Sequence, residues 1–336
     1  LQINGLIPGM AVHFAKCCAP LPGENIVGIV TTGKGITVHT IDCNTLEKFY
    51  DIPERWLDYQ HPYPGDTMSK TQRTKLLFNE HYQRLVDVKK DYAKKIGVDF
   101  KIFEYDEKYK EYVKSFEKYP EITTYEIVNF YKIHLMYELG KQYDEILYLD
   151  FDVVPVTDQN FFEVWNLKKG ICVKNNNDNI QRMMSKKFNQ LKIQEIEIPS
   201  SRDPRSKFFN ACAMLIDSNM SPKNDVINTG IVGINKEHLD KLDYFNDFRN
   251  TLDLMTKVKK EYDIYPKNIV KSFGYDNETI FAYKLKINNV NVRWLDEYWH
   301  FFLYDLPFIS VKSKLIHVVD KNFDRVWKFI EKNVAK

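Results

Sequence analysis

Apolar residues recur along this chain in two different rhythms. In residues 1–60 they fall in short runs rich in Val, Ile and Thr. Ile26–Thr31 and Ile36–Thr40 are joined by Thr32-Gly33-Lys34-Gly35. Runs of that length around a Gly-containing turn predict a β-hairpin. Asp42–Tyr50 reads as a short helix with Asp42 or Asn44 near its start. His61-Pro62-Tyr63-Pro64-Gly65-Asp66 is a natural breaker. Beyond it the rhythm changes to long helical patterns over 69–96, 107–118, 123–141, 158–167, 278–285 and 321–334. Apolar runs between them predict strands at 99–103, 146–149, 170–173, 210–216, 229–234, 290–294 and 315–319. Strands alternating with helices imply an α/β sandwich with a largely parallel sheet. In such sheets ligands bind beyond the carboxyl ends of the strands.

One strand ends in chemistry. Ile146-Leu147-Tyr148-Leu149 runs into Asp150-Phe151-Asp152, followed by Val153-Val154-Pro155. In an extended strand tip, side chains at i and i+2 point the same way. Two converging carboxylates at a buried strand end need neutralising. A divalent cation carrying a diphosphate does this, because hard cations take oxygen ligands and share them with substrate phosphates. The alternative is a strand-to-loop junction in which Asp only turns the chain.

Composition narrows the choice of partner. The 336 residues are 44% hydrophobic and 14% aromatic, enough for one large core or two. A net charge of +2 supplies no strong field for nucleic acid or an anionic membrane. No apolar run approaches the roughly 20 residues that span a bilayer. The start, Leu1-Gln2-Ile3-Asn4-Gly5, carries no visible signal peptide and looks like a cut through a longer protein. The five Cys are odd in number, and Cys17, Cys18 and Cys43 crowd near His13 and His39. That suits a reducing cytoplasm rather than a disulfide scaffold. Cys17, Cys18, His39 and Cys43 together could supply a tetrahedral zinc set. From spacing alone, a group of buried thiols accounts for them as well.

The segments His13-Phe14-Ala15-Lys16-Cys17-Cys18-Ala19-Pro20-Leu21-Pro22-Gly23, Ile26-Val27-Gly28, Thr32-Gly33-Lys34-Gly35 and Val38-His39-Thr40-Ile41-Asp42-Cys43 resemble the zinc-finger region of long RelA/SpoT-type (p)ppGpp synthetase/hydrolases. Leu46-Glu47-Lys48 and Pro53-Glu54-Arg55-Trp56 continue the resemblance, which covers about residues 3–60. It implies that Cys17, Cys18, His39 and Cys43 are the metal or structural set, with Zn²⁺ as the ion. The hydrolase, synthetase, TGS and ACT domains of that family have no counterpart here, so the resemblance implies at most a small regulatory or ribosome- and RNA-contacting module.

From about residue 66 onward the chain resembles GT-A glycosyltransferases, nearest in pattern to family 8. The segments that carry this are Tyr125–Leu139 with Lys132, Asp150-Phe151-Asp152, Phe209-Asn210-Ala211-Cys212, Ile227–Asn235, Asp276-Asn277-Glu278 and Leu315-Ile316-His317. The resemblance implies an α/β, Rossmann-like GT-A domain over 61–336 behind a small α+β hairpin module over 1–60. It further implies a metal-dependent transfer of a hexose from a nucleotide sugar to a glycan or lipid-linked acceptor, with retention of configuration. Asp152 and His317 would hold Mn²⁺ or Mg²⁺, and Asp150 would face the ribose or the metal. His as a third ligand tilts the choice toward Mn²⁺. Lys132 would help neutralise the diphosphate, and Asn228-Thr229-Gly230 would let the sugar approach closely. Asp276 and Glu278 would contact hydroxyls or act as a base. Trp294, Trp299 and His300 could form a sugar-stacking wall, or simply pack the core. The expected location is the cytoplasm, with peripheral contact at the inner face of the membrane. A competing expectation is a RelA/SpoT-derived regulatory fragment fused to an inactive transferase scaffold. It arises because the apolar first strand of a GT-A domain has only Trp56–His61 as a candidate, and the zinc-finger-like segment claims those residues too.

Overall fold

The structure, a computed structural model, describes residues 11–20, 26–31, 35–40, 43, 45–46, 55–57, 70–177, 198–303 and 308–333. The chain divides into two compact units, Leu1–His81 with Tyr304–Ser310, and Tyr82–Leu303 with Val311–Lys336.

The first unit holds a four-stranded sheet. Its strands β1 (Val12–Phe14), β2 (Ile26–Thr31), β3 (Gly35–Thr40) and β4 (Trp56–Leu57) lie in the order β1-β3-β2-β4. β2 and β3 form the expected antiparallel hairpin, with Ile29 opposite Thr37. Gly35 sits at φ 82°, and a Cβ there would collide with the Ala11 carbonyl. Ile29, Ile36 and Val38 are fully buried. Ile29 packs with Cys43 and Leu46, so the thiol region and the small core are one cluster. The hairpin turn at 32–34, the breaker at 61–66 and most of the expected helix over 42–50 lie outside the described residues. Trp56 and Leu57 pair with Ile29 and Gly28 of this sheet. Trp56–Leu57, the described part of the candidate first strand over 56–61, is thus an edge strand of the N-terminal module.

α1 (Lys70–Lys95) begins in the first unit and ends in the second, where α2 (Glu107–Ser115) and α3 (Thr124–Gly140) precede β5 (Glu145–Leu149) and β6 (Val153–Pro155). Then follow α4 (Phe161–Val164), β7 (Ile171–Asn175), α5 (Pro204–Asp217) and β8 (Ile227–Asn235). α6 (Lys236–Leu242), α7 (Phe248–Glu261) and α8 (Lys267–Val270) occupy a stretch for which the apolar pattern sets no expectation. The chain continues with α9 (Asn277–Ile287), β9 (Val292–Trp294), β10 (Phe301–Phe302), β11 (Leu315–His317) and α10 (Phe323–Asn333).

The unit is mixed α/β. Its larger sheet has the order β5-β8-β7-β9. β8 is antiparallel to both β5 and β7, and only the β7–β9 pair is parallel. The expectation of a largely parallel sheet is therefore corrected. The order of strands and helices is the same for either direction, which is set by where each connection re-enters the sheet. Alternate residues of β8 serve two cores, as the pleat requires. Val232 and Ile234 join Ile133, Met136, Met214 and Phe281 on the side of α3, α5 and α9. Ile231 faces Val153, Phe161, Trp299 and Leu315 on the other.

Two expected strands do not form. Residues 98–105 are irregular, with Ile102 and Phe103 exposed. A strand needs a partner, and none pairs with this segment among the described residues. Residues 210–216 belong to helix α5. Asp203 caps it by accepting from the Arg205 amide, and Pro204 stands in its first turn. The apolar run there is buried on nearly every side, which hides helical periodicity.

Candidate active site and metal centres

β5 ends at Leu149, and the Asp150 amide donates to the Gly230 carbonyl at 2.7 Å. The chain then turns, with the Val153 amide donating to the Asp150 carbonyl at 3.0 Å. The two carboxylates converge through this turn, not through an extended pleat. β6 next pairs antiparallel with β11, placing His317 opposite Val153. The Val318 amide donates to the Asp152 carbonyl at 2.9 Å. This register carries His317 to Asp152, with His317 Nε2 3.4 Å from Asp152 Oδ2. One ligand atom from each of Asp150, Asp152 and His317 lies within 4.8 Å of the others. Two carboxylates and an imidazole within that span fit a divalent first-row cation.

The chain's own cations surround the carboxylates. Lys132, buried on α3, places Nζ 3.4 Å from Asp150 Oδ1, and Tyr148 donates to the same oxygen at 2.8 Å. Lys321 donates to Asp152 Oδ2. Burial pushes the Asp152 carboxyl up, but His317 and Lys321 outweigh it and hold it below the ordinary carboxylate range. Lys89 of α1 donates to the Phe151 carbonyl at 2.9 Å and to the Leu85 carbonyl at 3.1 Å. Burial draws its ammonium down to about 7 against the pull of Asp152 and Asp150. Lys89, Tyr148 and Lys321 belong to this site although sequence reasoning missed them. The local signals were Tyr148, two residues before Asp150, and Lys321, four residues beyond His317.

The Asn228-Thr229-Gly230 segment lies beside Asp150. The Gly230 amide donates to Asn228 Oδ1 at 3.0 Å. A Cβ on Gly230 would collide with the His317 ring. The small residue makes room for the imidazole. Glu278 accepts from the Thr229 amide at 2.8 Å and from Lys207. Burial raises the Glu278 carboxyl, and Lys207, Lys132 and the Thr229 amide together outweigh it and leave it lowered. Asp276 caps α9, accepting from the Thr279 amide at 2.9 Å and its hydroxyl at 2.6 Å. Burial holds its carboxyl above the usual range. Both acids thus have chain partners at the β8–α9 corner. Trp299 and His300 are core residues, whereas Trp294 is 37% exposed.

The second cluster lies in the N-terminal unit. His39 Nδ1 is 3.4 Å from Cys17 Sγ, 3.7 Å from Cys18 Sγ and 3.4 Å from Cys43 Sγ. Cys17 and Cys43 are 3.5 Å apart and unbridged. With metal–ligand bonds of about 2.0–2.3 Å, the edges of a tetrahedral zinc site are about 3.4–3.8 Å. These four separations fall in that range, and all four ligand atoms lie within 4.8 Å of one another. Burial raises the Cys43 thiol, but hydrogen bonds from His39, Thr45 and Cys17 together outweigh it and leave the thiol at about 6. Burial pushes the Cys18 thiol up. Among the described residues no helix is long and apolar enough to cross a membrane.

Residues 1–60 match the family model of the RelA/SpoT RIS domain. The chain is 45% identical over 53 residues to a GTP pyrophosphokinase of Photobacterium angustum, covering 16% of this chain and 7% of that protein. It is 33% identical over 95 residues to the GTP pyrophosphokinase of Myxococcus xanthus, covering 28% of this chain and 12% of that protein. The N-terminal resemblance is thereby shown, and the chain spans only a small part of these relatives. Among solved structures, an active-site mutant of LgtC is similar at 13% identity and a TM-score of 0.33, covering 61% of this chain and 64% of that one. Mouse xyloside xylosyltransferase 1 is similar at 12% identity and a TM-score of 0.34, covering 65% of this chain and 73% of that one.

Proposed function

We propose that residues 61–336 form a GT-A-type, metal-dependent glycosyltransferase that moves a hexose from a nucleotide sugar to a glycan or lipid-linked acceptor. The observation that carries this reading is the convergence of Asp150, Asp152 and His317 from distant parts of the chain, within 4.8 Å. A bound Mn²⁺ or Mg²⁺ would supply positive charge to the diphosphate leaving group. Asp152 and His317 would hold it, and Asp150 would complete its shell or meet the ribose. Lys132 would neutralise phosphate charge once Asp150 turns to the cation. Lys321 would be displaced from Asp152 and become available to the same phosphates. Glu278 and Asp276 would keep Lys207 and the Asn228–Gly230 corner in place beside the site. Retention of configuration is the stereochemical outcome we infer, without a covalent nucleophile assigned. Residues 1–60 would be a separate Zn²⁺ module held by Cys17, Cys18, His39 and Cys43, offering a surface for ribosome or RNA contact. Unbridged thiols favour a cytoplasmic setting, with acceptors reached at the inner face of the membrane.

A second reading has one specific observation behind it. Among the described residues β5 pairs with β8 alone, and Trp56–Leu57 is committed to the N-terminal sheet. A scaffold without a strand beside β5 would lack part of the nucleotide cradle. The chain would then be a RIS-type regulatory fragment joined to an inactive transferase.

Thermal melts of the full chain with UDP, GDP or CMP, each with and without Mn²⁺, separate the two. A shift that needs one nucleotide and the metal together supports a working donor site and identifies the base. Cooperative melting with no shift for any pair rejects the transferase reading.

A further inference from the structure

The three residues expected to form a sugar-stacking wall part company in the folded chain. Trp299 packs edge-on against Phe161, and His300 is buried with its Nε2 3.0 Å from His317 Nδ1. Trp294, the last residue of β9, is half-exposed. Trp165, Trp299 and Trp327 each have a ring or a guanidinium against the indole. Among the described residues Trp294 has neither. It lines a cavity of about 250 Å³ between α9 and β9. Leu285, Val290 and Val292 give that cavity an apolar side, and Asp225, Lys286 and Asn291 a polar one. β9 is an edge strand of the order β5-β8-β7-β9. Neighbouring strands are about 4.8 Å apart, so β9 lies about 14 Å across the sheet from β5, the strand that leads to Asp150.

The polar side is held in place by its own bonds. Asn175 and Asn177 each donate a side-chain N–H to Asp225 Oδ1 at 3.1 Å, and Lys286 donates to Oδ2 at 2.7 Å. A carboxylate has about four acceptor positions and an ammonium three N–H groups. Asp225 therefore keeps an acceptor position, and Lys286 keeps donors, beyond their own pair. The exposed Asn291 side chain adds a donor and an acceptor. The Asp225–Lys286 pair is neutral as a unit. An anion would meet Asp225, a cation would meet Lys286, and a zwitterion would have to separate the two. A hydroxyl donates to the carboxylate or accepts from the ammonium without disturbing either. The ligand that suits this wall has several hydroxyls and, for the indole, a face of C–H groups. A pyranose ring has both. The cavity is smaller than the about 300–1,000 Å³ of drug-sized ligand pockets, so it takes one ring and not a whole nucleotide sugar.

We propose that the cavity between α9 and β9 is a glycan-binding subsite: one uncharged pyranose ring lays its C–H face on Trp294 and hydrogen-bonds through its hydroxyls to Asp225, Lys286 and Asn291. The subsite is separate from the cluster of Asp150, Asp152 and His317 and needs neither metal nor nucleotide, so it stands without the transferase reading. Under that reading it holds a sugar unit of the acceptor away from the bond being made.

The test uses the full chain in EDTA, which silences the metal cluster. The probes are the methyl β-glycosides of glucose, galactose, mannose, N-acetylglucosamine and xylose. Saturation-transfer NMR should show the ring C–H protons of at least one probe receiving saturation, most strongly on one face. Trp294→Ala should weaken that probe's binding by at least about threefold, the scale of an aromatic contact, and Trp294→Phe should keep most of it. Asn291→Ala should also weaken it, with the melting temperature unchanged. No transfer to any probe, or equal transfer in the wild type and Trp294→Ala, overturns the proposal. So does a concentration-dependent dimer that Trp294→Ala abolishes while no probe binds, because the indole then faces a second copy of the chain. Probe binding in EDTA alongside melts that show no nucleotide-and-Mn²⁺ shift upholds the subsite while the transferase reading fails. If Trp294→Ala does not fold, the Asn291→Ala titration decides.

Discussion

Gly230 and His317 share one space: a Cβ on Gly230 would lie 2.7 Å from His317 Nδ1 and closer still to Cε1. The imidazole reaches Asp152 because β8 carries no side chain at this point. Gly230→Ala should push the ring away from both Asp152 and His300. We expect at least a tenfold loss of Mn²⁺ affinity, in the range of lost ligand support, with secondary structure unchanged. Calorimetric titration with circular dichroism checks it, and unaltered affinity would show that His317 does not hold the ion.

Lys321 and a divalent cation compete for the same oxygen of Asp152. Lys321→Met should therefore strengthen Mn²⁺ binding in the absence of nucleotide, by several-fold. The same variant should weaken nucleotide binding in the presence of Mn²⁺, because a cation near the phosphates is gone. Opposite signs in the two titrations are the signature. A parallel loss in both would mean Lys321 only supports the local fold.

The N-terminal cluster predicts zinc by stoichiometry. The purified chain should carry one Zn²⁺ per molecule, and Cys17→Ser with Cys43→Ser should abolish it. Nucleotide-dependent stabilisation should survive if the two halves work independently. Elemental analysis and the same melts give both answers. Loss of nucleotide response in the double variant would contradict the independence of residues 1–60.

Asp203 has two separable jobs. It caps α5 through the Arg205 amide at 2.8 Å, and it pairs with the Arg205 guanidinium at 2.9 and 2.7 Å. Both side chains are under 10% exposed. Asp203→Asn keeps a capping oxygen but strands the buried Arg205 charge, which should cost about 3–5 kcal/mol. If only the cap matters, Asn should be nearly neutral, since Asn and Asp cap about equally well. Urea unfolding distinguishes the two.

Stability of the second unit should fall with acid from a predictable source. Burial holds His134 and His238 below the ordinary histidine value of 6.5 in the folded chain. The unfolded chain then binds protons that the folded chain refuses. This contribution is fully present above 6.5 and is lost as pH drops from there through the lowered folded values. His134→Gln with His238→Gln should flatten the melting temperature across that interval. An unchanged slope would assign the acid sensitivity to other groups.

The candidate metal ligands of both sites were legible in the chain. Cys17, Cys18, His39 and Cys43 stand near one hairpin, so local pairing is enough to gather them. Asp150 and Asp152 are joined by a single turn, and most helices announce themselves by apolar period and cap. Their partners were a different matter. His317 is next to Asp152 because β11 pairs with β6 in one register, and a shift of a single residue would turn its side chain to the other face. His300, Lys89, Lys132 and Lys321 are adjacent to the carboxylates only once the sheets have formed. Strand direction and the helix at Pro204–Asp217 also escaped, because an all-apolar run has no period to read and strand order leaves direction open. Local order along the chain set which groups could bind metal and where the local elements begin. Tertiary structure alone decided which of those groups meet, because contact between distant segments depends on sheet register and on the two cores that β8 divides.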